Sequence, residues 1–181
     1  MTNSEVTRKL DRLKETFAAG KYWNHTTEEN DPSSVTNSPC NHHGTCDFYG
    51  HCACNNFDSA IQCHGFAKYM AKRVFNTYPS VTTSYNTESD GVDLGSGWKI
   101  YTSDHFSTIT LEPGDIIRTN THTAIVHSVD NGNVTVGEVL GSLNCKIAWG
   151  GFNNGSYTTV SEILNIANYV VKAPKNEISD V

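Results

Sequence analysis

Cys63 lies in the stretch DSAIQCHGFAKYM (58–70), where a polar turn gives way to an amphipathic run. A thiol becomes a strong nucleophile once deprotonated, and the first turn of a helix favours that state through its unpaired N–H groups and partial positive charge. A cysteine nucleophile also needs a histidine to hold the thiolate and later return the proton, and a third group to orient the ring. Two histidines, His122 and His127, flank the apolar run HTAIVHSV (122–129). Their odd separation puts them on opposite faces of a strand. His122 shares its face with Ala124 and Val126, small and apolar neighbours that suit a ring lining a cleft. His127 shares its face with Ile125 and Val129 and could instead be a satisfied interior histidine. Across the turn DNGN (130–133), the acid on the returning strand VTVGEVL (134–140) is Glu138. Pairing about the turn brings residues 136–140 roughly opposite 122–127, so Glu138 is within reach of the His122 ring. The plainer alternative for Glu138 is an exposed strand residue.

The elements that must position these side chains follow from periodicity. Val6, Leu10, Leu13 and Phe17 recur at helical spacing and Gly20 follows them, which predicts a helix over about 4–19. Residues 22–58 are polar and aperiodic. From residue 60 the spacing is helical again, with Cys63, Phe66, Ala67, Met70 and Val74 on one face and Asp58 or Ser59 as N-cap. After a polar connection (78–97) the signals turn to strands: EPGD (112–115) opens into IIRT, and Asn-Gly in DNGN marks a hairpin. CKIAW (145–149) and NYVVKA (168–173) read as further strands, and TVSEILN (159–165) as a short helix. Helices first and antiparallel strands later predict an α+β fold in a single domain over 1–181, with a cysteine-rich insertion at about 38–57.

Composition narrows the function. The 181 residues are 37% hydrophobic and carry a net charge of −6, which argues against a general nucleic-acid binder. No apolar run approaches the roughly 18–20 residues that span a bilayer. The N-terminal MTNSEVTRKLDRLKETF lacks the apolar core of a secretory leader. Five of the six cysteines fall between residues 40 and 63, which predicts disulfides in an oxidising compartment or zinc in a reducing one.

Taken in order, QCHGFA at a helix start, PGD before a strand, HTAIV, a turn, VTVGE and a late CKIAWG resemble papain-like cell-wall hydrolases. These are the CHAP-type amidohydrolase/peptidases and their NlpC-type relatives. The resemblance runs from about residue 20 to residue 174. It implies a papain-like α+β fold, with the nucleophile at a helix N-terminus packed on an antiparallel sheet. It also implies Cys63 as nucleophile, His122 as general base and Glu138 as orienting acid. The reaction implied is hydrolysis of an amide or peptide bond in peptidoglycan, by a monomer that needs no catalytic cofactor and is secreted or acts at the cell wall. Three features depart from the family: the insertion before the nucleophile, the Glu at the third position where many relatives have Asn, Asp or a second His, and the absence of a clear side-chain oxyanion donor. The Cys63 backbone N–H is the expected first donor, with Asn55, Asn56 and Gln62 as candidates for a second.

The cysteine spacing also supports a competing reading. C-x5-C-x5-C-x-C-x8-C with HGTC resembles the last five cysteines of an epidermal-growth-factor-like binding module, which would pair Cys63 with Cys54. The module's first cysteine is missing, however, and the sequence after Cys63 is amphipathic helix. Without Cys63 the cluster keeps Cys40, Cys46, Cys52 and Cys54, which could bind a structural zinc or form two disulfides. His42, His43 or His51 could replace one ligand. Cys145 reads as a buried free thiol. Tyr22, Trp23, Trp98 and Trp149 could line a glycan groove, although core packing accounts for each.

Overall fold

The computed structural model describes residues 1–23, 35–39, 56–58, 60–85, 90–143 and 145–175. In chain order the elements are α1 (Asn3–Thr16), β1 (Tyr22–Trp23), β2 (Val35–Thr36), β3 (Asn56–Phe57), β4 (Ala60–Ile61), α2 (Gln62–Phe75), β5 (Asp90–Asp93) and β6 (Lys99–Thr102). A 3₁₀ turn at Ser103–Thr108 leads to β7 (Ile116–Arg118), β8 (Thr123–Asp130) and β9 (Asn133–Leu140). A second 3₁₀ turn follows at Gly141–Leu143, then β10 (Lys146–Gly150), the one-turn α3 (Phe152–Gly155), α4 (Val160–Ile166) and β11 (Tyr169–Lys172).

Nine strands form one sheet in the order β2-β1-β10-β9-β8-β7-β11-β6-β5, and every pairing is antiparallel. This corrects the expected α+β, papain-like architecture with its N-terminal helices: a broad antiparallel sheet dominates, and the helices are few and short. The sheet outgrows the prediction because strands form where the sequence has no period-2 pattern. β1 and β2 are two residues each, and β5 (DGVD) begins inside the stretch read as a polar connection. Backbone pairing to a longer neighbour orders such segments whatever their side chains.

α1 begins with a reciprocal cap. The Glu5 N–H donates to Thr2 Oγ1 at 3.2 Å and the Thr2 N–H donates to Glu5 Oε2 at 3.3 Å. The helix ends at Thr16, earlier than expected, where the Phe17 N–H closes on the Leu13 carbonyl at 2.7 Å. α1 and α2 pack on the sheet over β8, and α2 also over β9. Alternation along the strands then builds two cores. Ile116, Ile125, Val139, Ile147 and Val171 join the helices' Leu10, Phe66 and Met70 in one. Ile117, Ala124, Val126, Val136 and Val170 join Phe106, Phe152 and Ile163 in the other. Covering both faces explains why the start of β8 is an unbroken buried run. Among the described residues no helix is long and apolar enough to cross a membrane.

The entry to α2 differs from expectation in detail. Asp58 is not a helix cap; it sits in the tight β3–β4 hairpin at φ 53° and accepts from Lys68 Nζ at 2.8 Å. The helix begins at Gln62, itself in the left-handed region at φ 52°. This sharp reversal folds the hairpin back onto the helix, so that a Cβ on Gly65 would lie 1.9 Å from the Ala60 carbonyl oxygen. Gly65→Ala is therefore expected to cost about 3 kcal/mol through overpacking against backbone. For a chain of this length that lowers the melting temperature by roughly 6–12 °C. A thermal melt with no shift would show that the hairpin does not rest on Gly65.

Candidate active site

Cys63 is the second residue of α2 and carries a free thiol. His122 is the residue before β8, at the end of the tight β7–β8 connection. There its N–H donates to Thr119 Oγ1 at 3.1 Å and its carbonyl accepts from the Thr119 N–H at 2.9 Å. The ring of His122 and the backbone N–H of Thr123 both face the thiol and favour its charged form. His122 Nε2 lies 2.8 Å from Glu138 Oε1, which leaves Nδ1 for the cysteine. The ring is 6% exposed and meets Phe152 edge-on at 5.1 Å. The structure thus brings together all three residues singled out from the sequence.

Glu138 is 1% exposed, and its carboxylate accepts from three donors. Besides His122, the Asn153 N–H reaches Oε1 at 2.8 Å and the Asn154 N–H reaches Oε2 at 2.7 Å. Those amides come from α3, a turn of left-handed backbone: Asn153 has φ 56° and ψ 62°, Asn154 φ 57° and ψ 39°, and Gly155 φ 84°. Asparagine and glycine are the residues that enter this region at least cost, so NNG is what the turn requires. The third position is therefore held from both sides, by the histidine it orients and by fixed backbone dipoles. Sequence reading missed this turn, although the NNG triplet was its signal.

The electrostatics follow from these contacts. Burial pushes the Cys63 thiol up, but the His122 hydrogen bond and charge, the Thr123 N–H and the Arg118 guanidinium outweigh burial and hold it below its ordinary range. Burial pulls the His122 imidazole down, while hydrogen bonds and charge from Cys63 and Glu138 outweigh that and push it up to about 9. Both shifts favour a thiolate beside an imidazolium over the neutral pair, the form in which a cysteine is most nucleophilic.

Two further residues adjoin the pair. His64, buried beside Cys63, has Nε2 2.9 Å from the Val81 carbonyl and Nδ1 3.0 Å from Thr123 Oγ1. A carbonyl can only accept, so Nε2 carries the proton and Nδ1 accepts from the threonine hydroxyl. Burial, with the Val81 contact opposing it, brings His64 down to about 4, so it is neutral in the working range. Arg118, paired with Thr123 across the β7–β8 hairpin, donates from NH1 to Thr123 Oγ1 at 3.0 Å. Neither residue was singled out from sequence, because each looks like an ordinary polar residue until the strands pair.

Other candidates fall elsewhere. His127 joins α1 to the sheet, with Nε2 2.6 Å from Asp11 Oδ1 and its ring edge-on to Trp149 at 5.2 Å, which is the interior use allowed for it. Trp23 and Trp98 are fully buried and Trp149 packs against the core, donating to the Phe17 carbonyl at 2.7 Å; the three tryptophans serve packing. Cys145 is a buried free thiol. Gln62 is buried at the helix start, adjoining the Cys63 N–H. Cys40, Cys46, Cys52 and Cys54, proposed as a zinc or disulfide staple, lie outside the described residues, as do His42, His43, His51 and Asn55. Among the described residues no group of three or more His, Cys, Asp or Glu side chains is arranged to hold a metal ion.

Comparison with protein-family models, with curated proteins and with solved structures finds no match for the chain.

Two outcomes follow from the geometry. Iodoacetamide should alkylate Cys63 rapidly at about pH 6, where an ordinary thiol near 8.5 is almost wholly protonated. Mass spectrometry of the labelled protein checks this, and labelling of Cys63 only above about pH 8.5 would contradict an ion pair. Glu138→Gln turns an amide NH₂ toward backbone donors and leaves a buried N–H unpaired. It should cost about 1–3 kcal/mol in chemical denaturation, and it should lower the pH at which His122 loses its proton, read by NMR titration.

Proposed function

We propose that the protein is a cysteine-dependent amidase or peptidase acting through a thioester. The observation that carries this reading is a free thiol at the start of α2 against a histidine whose other nitrogen is held by a carboxylate, itself fixed by two backbone N–H groups. Cys63 Sγ attacks the carbonyl carbon, and negative charge develops on the carbonyl oxygen. The Cys63 N–H, freed of an intrahelical acceptor at the helix start, is the donor placed to meet that charge. As the C–N bond breaks, the leaving nitrogen takes the proton from His122 Nδ1 and a thioester remains. Water then loses a proton to His122 and attacks the thioester, which releases the acid and restores the thiolate–imidazolium pair. Glu138 keeps the ring aligned through both steps.

The substrate class rests on the resemblance of the motif order to cell-wall hydrolases of the CHAP and NlpC type: peptide or amide bonds of peptidoglycan, cut outside the cell or at its wall. Purified peptidoglycan incubated with the protein should release new amino groups or carboxyl-terminated fragments. Cys63→Ala and His122→Ala should each reduce the rate by about 10³-fold or more. The rate should fall at low pH, where the thiol is protonated, and again above about 9, where His122 no longer carries the proton for the leaving group. Undiminished turnover by Cys63→Ala would overturn the reading.

A further inference from the structure

Arg118 is 9% exposed, and among the described residues it has no carboxylate partner. NH1 donates to a hydroxyl, Thr123 Oγ1, at 3.0 Å and NH2 to a carbonyl, that of Asn120, at 3.2 Å. Nε is fully buried and, among the described residues, has no acceptor. A guanidinium is charged at every pH the protein meets, and burying one without a counter-ion is costly. An orphaned buried donor adds a further cost. Such an arrangement persists where the missing anion belongs to function.

The surroundings identify that anion. Arg118 and Thr123 are cross-strand partners, and the Thr123 hydroxyl that accepts from Arg118 donates to His64, the neighbour of Cys63 in α2. One residue before Thr123 is His122. We propose that Arg118 is a second fixed cation of the site, whose counter-ion is the negative charge on the reacting cysteine, and that Thr123 and His64 hold it in register with the nucleophile. This rests on Cys63 acting as a thiolate. His122 supplies the cation that also moves a proton; Arg118 supplies one that cannot. The charged and titratable groups that interact with the thiol are His122 just before β8, Arg118 from β7 and Tyr169 from β11, and His64 is the next residue along α2. Behind them stand Glu138 on β9 against His122, and Lys68 on α2 near His64. Tyr169 donates its hydroxyl to the Thr82 carbonyl at 2.9 Å; burial first raises its titration above the ordinary tyrosine range, the Arg118 charge opposes that, and the Cys63 charge adds to it. Arg118 is then a positioning and charge-tuning residue, not one that touches substrate.

The test is the pH profile of iodoacetamide labelling at Cys63, followed by mass spectrometry in wild type, Arg118→Met, Arg118→Gln and Arg118→Lys. Folding of each variant is checked by circular dichroism. In the neutral variants the acid limb should move upward and labelling at about pH 6 should slow by roughly tenfold, one unit in the thiol's titration. Arg118→Lys should recover most of the wild-type rate. A folded Arg118→Met or Arg118→Gln with the wild-type profile overturns the proposal. So does failure of both neutral variants to fold, since Arg118 would then be structural. A wild-type Cys63 that labels only like an ordinary thiol defeats the thiolate reading itself, and is told apart by needing no variant at all.

Discussion

Glu138 is a carboxylate set into the interior of a sheet, and a carboxylate there persists only where other donors replace the water it has lost. Three do so, from two pieces of chain: the His122 ring just before β8, and two successive amides of the turn after β10. The arrangement imposes conditions on everything around it. β8 and β9 must pair with Ile125 opposite Gly137 for Glu138 to reach His122 diagonally on one face. β10 must pair with β9 so that Gly150 delivers the chain to the left-handed turn. Trp149 lies so close over Gly137 that a Cβ there would come within 2.6 Å of the indole, so the same pairing also needs a glycine beside the acid. The hairpin, the third strand and the turn therefore form one unit, and the ring orientation of His122 is its output.

On the other face of the sheet the requirement is different. α2 must bring a thiol to the end of β8 from its own first turn, and the chain achieves this by reversing at Gln62 and pressing the Ala60 carbonyl against Gly65. His64 then ties the same turn to Val81 and to Thr123. Cys63 and His122 thus reach each other around the end of a strand, each held by contacts that do not involve the other.

The legible part of the site in sequence was its local part. Cys63 announces itself by the switch from polar turn to helical spacing, and His122 and Glu138 by their place about an Asn-Gly hairpin, since face and register follow from counting residues. The architecture was less legible. Two-residue strands such as Tyr22–Trp23 have no period to read, and DGVD looks like a turn until Asp93 pairs with Lys99. The sheet they extend is what replaces the expected α+β, papain-like layout. The support for Glu138 was hidden for another reason: Asn153 and Asn154 contribute backbone amides, and side-chain chemistry says nothing of where an amide points. Arg118 and His64 gain their meaning only from contacts across strands or between helix and strand, which no spacing along the chain encodes.

The two ends of β7 show how differently the fold treats buried charge. At its start the Asp115 carboxylate, fully buried in the PGD turn, accepts from the Ala173 N–H at 2.9 Å and the Glu112 N–H at 2.7 Å, and it pairs with Lys172. Glu112 and Lys175 complete that cluster, so every charge in it faces an opposite one. The effect is structural: it pins β7 and β11 to the turn that opens the strand. Three residues further on, Arg118 is also buried and, among the described residues, meets only a hydroxyl and a carbonyl. Had a compensating acid been useful there for stability alone, the chain had the means, as Asp115 and Lys172 demonstrate one strand-length away. An acid beside Arg118 would, however, also stand beside Cys63 and oppose loss of the thiol proton. The lack of a carboxylate at Arg118 among the described residues and the lowered thiol are therefore two aspects of one electrostatic arrangement: paired charge is concentrated at the start of β7, and unbalanced positive charge is left at the end that adjoins the Cys63 turn.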